Sequence, residues 1–418
     1  MRKKISLGVA AALVLLCCLV TFEVTYHVLF NKFEKKFGDD VVSQSKTEAS
    51  ENESDFLEKA KEKLAEVDSV YRNNYIGELD DDTLLDYIAM GYVAGTGDDY
   101  GAYYSADDLD DFVDDLNGEM VGIGVNVIFN TEFRAIEIIN VFPDSPALEA
   151  GVEPGDIIVT VGEDKESVSE LGYYPAINKI KGEEGTVAVF SVLRGEDHNE
   201  SVNFSVERRR IVNQSVTYHV YNQDNKVGVI RISEFDTQTP VQFVNAVETL
   251  TAEGCEKLVI DLRYNPGGEL SSIVTTLDYI LPEGPIIRIF DANGKEVDAY
   301  YSESGELDVP MAVLVNENTA SAAELFTAAV RDYDKAVIVG TTTYGKGCMQ
   351  STIPLSDGGA VTVTNHMYNP PFSDNYHGVG IVPDVEVELD ESLEDKNFYK
   401  ITDEEDNQLT AAVEALNK

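Results

Sequence analysis

The spacing of apolar and polar positions changes several times along this chain, and each change marks a different kind of element. Ile5 to Phe22 carries no charged side chain, and Glu23 is the first to interrupt it. As a helix, eighteen residues rise about 27 Å, close to the hydrocarbon thickness of a bilayer. Residues 39–54 are polar and acidic, and predict a tether without a core of its own. From Asp55 to about Leu116 the period is helical: Phe56, Leu57, Ala60, Leu64, Val67 and Val70 recur near i, i+3, i+4, and Leu84, Leu85, Ile88 and Ala89 repeat the pattern. Between about Glu119 and Glu207 short β-type runs alternate with glycines. Strands are expected at 121–125, 135–141, 157–161, 186–192 and 201–206, with short helices after Pro143 and around Ile177–Ile180.

Beyond Val212, apolar strands alternate with amphipathic helices, which predicts a largely parallel α/β layer. Strands are expected at Val227–Ile232, Lys257–Leu262, Pro285–Phe290, Met311–Val315 and Ala336–Gly340. Helices fall near Pro240–Glu253, Glu269–Ile280 and Ser321–Arg331. Asp357-Gly358-Gly359 is a hairpin turn leading into a strand at Ala360–Tyr368, and the acidic end of the chain finishes as a helix.

Charge narrows the function classes. The 418 residues hold 76 Asp and Glu against 31 Lys and Arg, a net charge of −45. The first 38 residues are basic on balance, so the remainder is more acidic still. Such a body repels nucleic acid and anionic lipid surfaces, which require basic stripes. Arg2, Lys3 and Lys4 before the apolar run fit a signal peptide or a signal anchor. The bulky sequence Cys18-Leu19-Val20-Thr21-Phe22 lacks a small-residue cleavage site and favours an uncleaved single-pass anchor. Phe30, Phe33 and Phe37, interleaved with Lys32, Lys35 and Lys36, form an interfacial collar whose charge leaves the orientation open. Only Cys255 and Cys348 lie beyond the anchor, so there is no disulfide framework.

Three segments carry candidate chemistry. Gly340 to Lys346 matches the start of a phosphate-binding P-loop, but Gly347 stands where a magnesium-binding Ser or Thr and a helix start are required. Ser321 with Glu324 is a capping box, and equally a serine nucleophile at a helix start with the Ala322 amide beside a developing oxyanion. No Gly-x-Ser-x-Gly elbow or His-Glu-x-x-His zinc motif is present. A Ser-Lys dyad is the remaining way to activate the serine. Lys346 lies between glycines in a stretch almost free of carboxylates, which suits a lysine whose pKa must fall by burial. Gln350, four residues on, offers an amide that can orient the amine without adding charge. Asp261-Leu262-Arg263-Tyr264-Asn265-Pro266-Gly267-Gly268 is an ordinary βα turn by composition, or one whose exposed amide supplies a second oxyanion donor.

In order and spacing, Asp261–Gly268, Thr319–Glu324, Tyr344–Gly347 with Gln350, and Tyr368–Pro371 with Gly378–Val385 together resemble the carboxyl-terminal processing (tail-specific) proteases. The resemblance covers roughly residues 55–418 and implies a serine endopeptidase. Ser321 would be its nucleophile, Lys346 its general base and Gln350 the residue positioning the lysine. The oxyanion hole would come from Ala322 with Gly267 or Gly268. It also implies a ClpP/crotonase-like β-spiral core within an overall α/β (multidomain α+β) chain. Residues 119–207 would be a PDZ domain whose loop Val121-Gly122-Ile123-Gly124 takes a substrate's C-terminal carboxylate. Lys181 stands where a basic residue often helps relatives to switch.

The expected organisation is an anchor and collar at 1–38, a tether at 39–54, a helical domain at 55–118, the PDZ domain at 119–207, the protease core at 208–392 and a helical segment at 393–418. The chain is then a membrane protein with an extracytoplasmic body, acting on proteins with exposed C-termini without metal or cofactor. The helical segments either form a homodimer, as relatives suggest, or pack on their own core. A catalytically silent PDZ adaptor is the alternative, and a P-loop-like NTPase the weaker one.

Overall fold

The computed structural model describes residues 51–195, 198–393 and 396–417. The anchor, the collar and most of the tether lie outside the described residues. Among the described residues no helix is long and apolar enough to cross a membrane. The chain forms two compact units that divide between Leu85 and Asp86.

The first unit is dominated by α1 (Glu51–Asn74) and ends in the first residues of α2 (Asp81–Ala94). Arg72 closes α1 by pairing with Asp68 one turn back (2.8 Å) and with Asp81 (2.5 Å). Asp81 and Asp82 sit in the first turn of α2, where the helix dipole favours negative charge. The predicted apolar stripe Leu57, Leu64, Val67 and Val70 lies exposed on α1.

The second unit opens differently from the continuous helical pattern expected through Leu116. After α2 the chain makes a short strand, β1 (Ala102–Tyr104), and then α3 (Ala106–Leu116), whose N-cap Ser105 accepts a bond from the Asp108 amide. Tertiary pairing of β1 with a later strand overrides the local helical period there.

A small antiparallel domain follows: β2 (Glu119–Gly122), β3 (Val125–Asn130), β4 (Ala135–Val141), α4 (Pro146–Glu149), β5 (Ile157–Val161), β6 (Glu166–Ser167), α5 (Val168–Leu171), α6 (Tyr173–Ile180), β7 (Val187–Arg194), β8 (Glu200–Glu207) and β9 (Arg209–Val212). Its sheet runs in the order β3-β4-β5-β7-β8, so β3 is an edge strand. Ile136, Ile138, Ile158, Phe190 and Val192 fill its own core with Ala176 and Ile180 of α6. Pairing of β2 with β9, Glu119 opposite Val212 and Gly122 opposite Arg209, zips entry to exit. The domain therefore closes at Val212 rather than at residue 207.

The remaining chain builds two sheets from β10 (Val216–Val220), β11 (Val227–Ile232), α7 (Thr239–Ala252), β12 (Lys257–Asp261), α8 (Leu270–Ile280), β13 (Gly284–Phe290), β14 (Glu296–Ser302), β15 (Met311–Val315), α9 (Ala322–Asp332), β16 (Ala336–Gly340), β17 (Cys348–Pro354), β18 (Ala360–Asn369), β19 (Val385–Glu386) and α10 (Asn407–Ala415). One sheet has the order β10-β11-β12-β15-β16-β19 and is parallel apart from β10. Its strands are near-continuous apolar runs because both faces are covered. Ile230, Ile260, Val313 and Ile338 face α7, α8 and α9. The alternate residues Val229, Val259, Leu314 and Val339 face α10. The C-terminal helix is thus the second covering layer of the sheet. At Gly228 an added Cβ would lie 2.7 Å from Leu250, so the glycine admits α7 against β11. The second sheet, β1-β18-β13-β14 with β17 on β18, is antiparallel: it contains the hairpin expected about Asp357-Gly358-Gly359, and it takes β13, which was expected in the largely parallel layer.

A buried ion network ties α10 to the sheet. The Arg263 guanidinium reaches Asp261 (2.8 Å), Asp406 (2.7 Å) and Gln408 (3.0 Å), and Arg231 reaches Asp261 from the neighbouring strand (2.8 Å). Burial alone would raise the Asp261 carboxyl; Arg263 and Arg231 more than reverse this and hold it below the usual carboxylate range. Replacing Arg263 by Met leaves two buried carboxylates underpaired. Denaturant unfolding of R263M is expected to show a loss of about 3–5 kcal/mol.

Candidate active site

Because β12, β15 and β16 run parallel, their carboxyl ends and the loops that follow lie along one edge of the sheet, where sites in α/β folds form. Backbone bonds sew these loops together. Ala320 N–H donates to Asn265 C=O (2.9 Å), Thr319 Oγ1 to Leu262 C=O (2.9 Å), and Tyr344 N–H to Thr319 C=O (3.0 Å). Asn265 reaches back to Ile232 C=O (2.9 Å), which fixes the glycine turn beneath β11.

Ser321 is the N-cap of α9 with φ 55° and ψ −118°, a left-handed backbone that an L-residue with a side chain holds only under strain. Such strain is a property of nucleophiles presented on sharp strand-to-helix turns. Glu324 accepts the Ser321 N–H at 2.9 Å, the reciprocal half of the capping box.

Glu324 does far more than cap. It is fully buried, and its two oxygens accept four bonds. Oε1 takes Thr343 Oγ1 (2.5 Å) and Gly345 N–H (2.7 Å), and Oε2 takes Lys346 N–H (2.7 Å) as well as Ser321 N–H. The amides of the two candidate catalytic residues therefore converge on one oxygen atom. All four partners are donors, the arrangement an ionised carboxylate satisfies. Sequence spacing identified Glu324 only as a cap; its contact with 343–346 spans about twenty residues and has no local signal.

Lys346 is half-buried, and among the described residues its ammonium has no hydrogen-bond or ion-pair partner. Nζ lies 4.7 Å from the centre of the Tyr100 ring, and makes no hydrogen bond to Ser321 Oγ. Desolvation lowers its pKa from the ordinary lysine value, opposed by Cys348, Asp98 and Glu324. Burial pushes the Cys348 thiol up, so it stays uncharged near neutrality. The carboxylate-free stretch read from the sequence is thus only local: Asp98, from the loop after α2, approaches across space. Its carboxylate is held by the Thr364 amide and hydroxyl, both at 2.8 Å.

Gln350 lies on β17 and donates to Thr364 Oγ1 (3.2 Å) and Cys348 Sγ (3.5 Å). It makes no hydrogen bond to Lys346; both of its partners lead to groups that act on the lysine's pKa, Cys348 directly and Asp98 through Thr364. The glycines flanking Lys346 now have a cause. A Cβ on Gly345 (φ 93°) would lie 2.9 Å from the Gly380 amide, and one on Gly347 2.5 Å from Asn375. The residues after Lys346 enter β17 instead of a helix, which removes the P-loop reading.

The oxyanion candidates separate. Gly267 N–H is engaged by Asn265 Oδ1 at 2.8 Å. The Gly268 and Ala322 amides have no hydrogen-bond acceptor among the described residues. A Cβ on Gly267 would stand 2.7 Å from Ser321 Cβ, which places the glycine turn directly against the serine.

In comparison with known proteins, residues 226–387 match the model of Peptidase family S41. This stretch is similar to that family. It runs from β11 through β19 and contains Ser321, Glu324, Lys346 and Gln350. A "Probable CtpA-like serine protease" of Staphylococcus aureus (strain N315) is 31% identical over 332 residues, covering 78% of this chain and 65% of the relative. The protein of the same description from Staphylococcus saprophyticus is 29% identical over 334 residues, covering 78% and 66%. The chain thus spans just under two thirds of the length of these curated relatives. The crystal structure of a putative S41 protease from Bacteroides fragilis superposes with a TM-score of 0.53 at 17% identity, covering 84% of this chain and 96% of that one. That likeness extends the shared fold beyond the S41 stretch.

The strain at Ser321 has a measurable consequence. Glycine adopts φ 55° without penalty, so S321G is expected to be more stable than the parent by about 1 kcal/mol in denaturant unfolding, whereas S321A is not.

Proposed function

We propose that this chain is a serine endopeptidase in which Ser321 is the nucleophile and Lys346 the general base. The observation that carries the reading is the shared Glu324 oxygen, which seats a strained serine and a half-buried lysine at one point. Neutral Lys346 takes the Ser321 proton as Oγ attacks the scissile carbonyl carbon. The oxyanion is held by the Ala322 and Gly268 amides. The lysine ammonium then protonates the leaving amine, and water attacks the acyl-serine with the lysine again as base. For this, Lys346 turns from the face of Tyr100 toward Ser321. Gln350 orients it through Thr364 and Asp98. The two-sheet core is read as the ClpP/crotonase-like β-spiral.

The domain closed by β2 and β9 is read as a PDZ domain that selects substrate C-termini, with its groove along β3. As an edge strand, β3 offers unpaired backbone groups to an added peptide strand. Val121 and Gly122 are paired with β9, whereas the Ile123 and Gly124 amides lack acceptors among the described residues and suit a terminal carboxylate. The Ile123 and Gly124 carbonyls are tied inward by Ala147 (2.8 Å) and Phe142 (3.0 Å). The apolar run at 5–22 holds this body at a membrane, on its extracytoplasmic side.

The test is cleavage of an unstructured protein by wild type, S321A and K346A, with the substrate's C-terminus free or amidated. Activity is expected to fall at least about 10³-fold in both variants, and amidation to raise KM. For wild type, kcat/KM should rise with pH as Lys346 loses its proton, along a limb below 10.5 because desolvation favours the neutral amine. Equal cleavage by all three proteins overturns the dyad and leaves the silent adaptor. Indifference to amidation overturns C-terminal selection alone.

A further inference from the structure

Two tyrosines outside the expected machinery lie buried beside it. Tyr368 on β18 donates its hydroxyl to Lys346 C=O at 2.9 Å. Tyr376, in the turn that follows, directs its hydroxyl to Ser321 C=O at 3.3 Å. The two phenolic oxygens are 2.8 Å apart, and the rings meet edge to face with centroids 5.9 Å apart. Both residues are almost fully buried. Each hydroxyl has one proton, so the chain carbonyl–hydroxyl–hydroxyl–carbonyl holds two protons for three contacts. Serving both carbonyls uses both protons, and the two phenolic oxygens then stand in close approach without a third hydrogen bond between them.

The geometry matters because a peptide unit is planar. Ser321 C=O and Ala322 N–H belong to the same plane and point in opposite directions. Fixing that carbonyl therefore fixes the direction of the amide that faces the oxyanion. Leu325 N–H also reaches the Ser321 carbonyl (2.9 Å) as the first helical bond, and Tyr376 supplies the second partner. The Tyr376 main chain is anchored in its turn by Gly380 N–H (2.9 Å) and Val379 N–H (3.1 Å). Asn375 Nδ2 meanwhile binds the carbonyls of Gly347 (2.7 Å) and Tyr368 (2.5 Å).

We infer that Tyr368 and Tyr376 are positioning residues for peptide-bond cleavage, a hydroxyl pair that sets the Ala322 oxyanion amide and the Lys346 main chain relative to one another. This rests on the Ser-Lys reading above. Where Glu324 holds the N–H sides of Ser321 and Lys346, the tyrosine pair holds their C=O sides. Burial raises both phenols well above the ordinary tyrosine range, so they remain O–H donors wherever a lysine base is neutral.

The experiment compares wild type, Y368F, Y376F, Y221F and K346A by kcat and KM on an unstructured substrate. It also measures the rate at which a fluorophosphonate probe labels Ser321 across pH. Tyr221 is a buried tyrosine of the opposite sheet face and serves as the control. Y368F and Y376F are each expected to lose roughly tenfold in kcat and in labelling rate, with KM unchanged, as for one lost positioning hydrogen bond. In Y368F the labelling midpoint should also move to higher pH, because a freed Lys346 main chain lets the amine reach water. The groups that face this amine are Tyr100, Asp98, Glu324 and Cys348, and none of them is altered. Thermal melts give the folded fraction, and Y376F, which keeps the Tyr368–Lys346 bond, carries the test if Y368F is unstable. Wild-type labelling and kcat per folded molecule in both variants overturn the inference while leaving the dyad intact. Labelling of wild type that K346A does not slow overturns the dyad, and the tyrosine link with it.

Discussion

A single buried carboxylate organises this site. Glu324 has no exposed surface, and its four donors come from three places: the serine turn, Thr343, and the Gly345-Lys346 segment. Burying a charge is costly unless every lone pair is matched, and here each oxygen has two partners. The cost is offset only when the loops after β15 and β16 are both in place. The local geometry of the serine and of the lysine are thus one structural event. The strained φ of Ser321 persists under the same constraint, since its amide is fixed by Glu324 and its neighbour Ala320 is fixed by Asn265.

Around that carboxylate the backbone is packed more closely than side chains allow. Gly380 stands where a Cβ would come within 2.2 Å of Thr343 C=O, and Gly268 where one would meet Phe235 C=O at 2.1 Å. Thr343 Oγ1 both donates to Glu324 and accepts from Ile381 N–H (2.7 Å), which joins the turn at 378–381 to the same centre. The Arg263 network joins that edge of the sheet to α10, so the end of the chain supports the turn carrying Gly267 and Gly268. Lys346 is the exception in this tightly matched setting. Its amine lies on the Tyr100 ring and has no hydrogen bond among the described residues, which leaves it free to turn.

Much of this was legible in the order of residues. The strands at Val227–Ile232, Met311–Val315 and Ala336–Gly340 appear at the expected bounds, because continuous apolar runs between turn residues leave few alternatives. The backbone amides of Ser321 and Lys346 converge on Glu324 and the Gly267 turn lies against Ser321, while the Lys346 amine makes no hydrogen bond to the serine hydroxyl. What escaped was non-local. β1 was hidden inside a helical period, the antiparallel second sheet depends on pairings across large separations, and Asp98 approaches Lys346 from more than two hundred residues away. Gln350 was expected to touch the lysine, yet its pleat on β17 turns its amide to Thr364. Tyr376 had no motif at all, since a tyrosine in a polar turn reveals nothing of the carbonyl it will meet.

The most direct test of the central constraint is the kcat of E324Q on an unstructured substrate, measured on protein whose fold is checked by circular dichroism. Glutamine keeps the size of the side chain, but turns one acceptor oxygen into an NH2 donor facing donors. A fall of about 10²-fold or more in kcat is expected, with the fold retained and KM little changed. A folded E324Q with the parent kcat would contradict it.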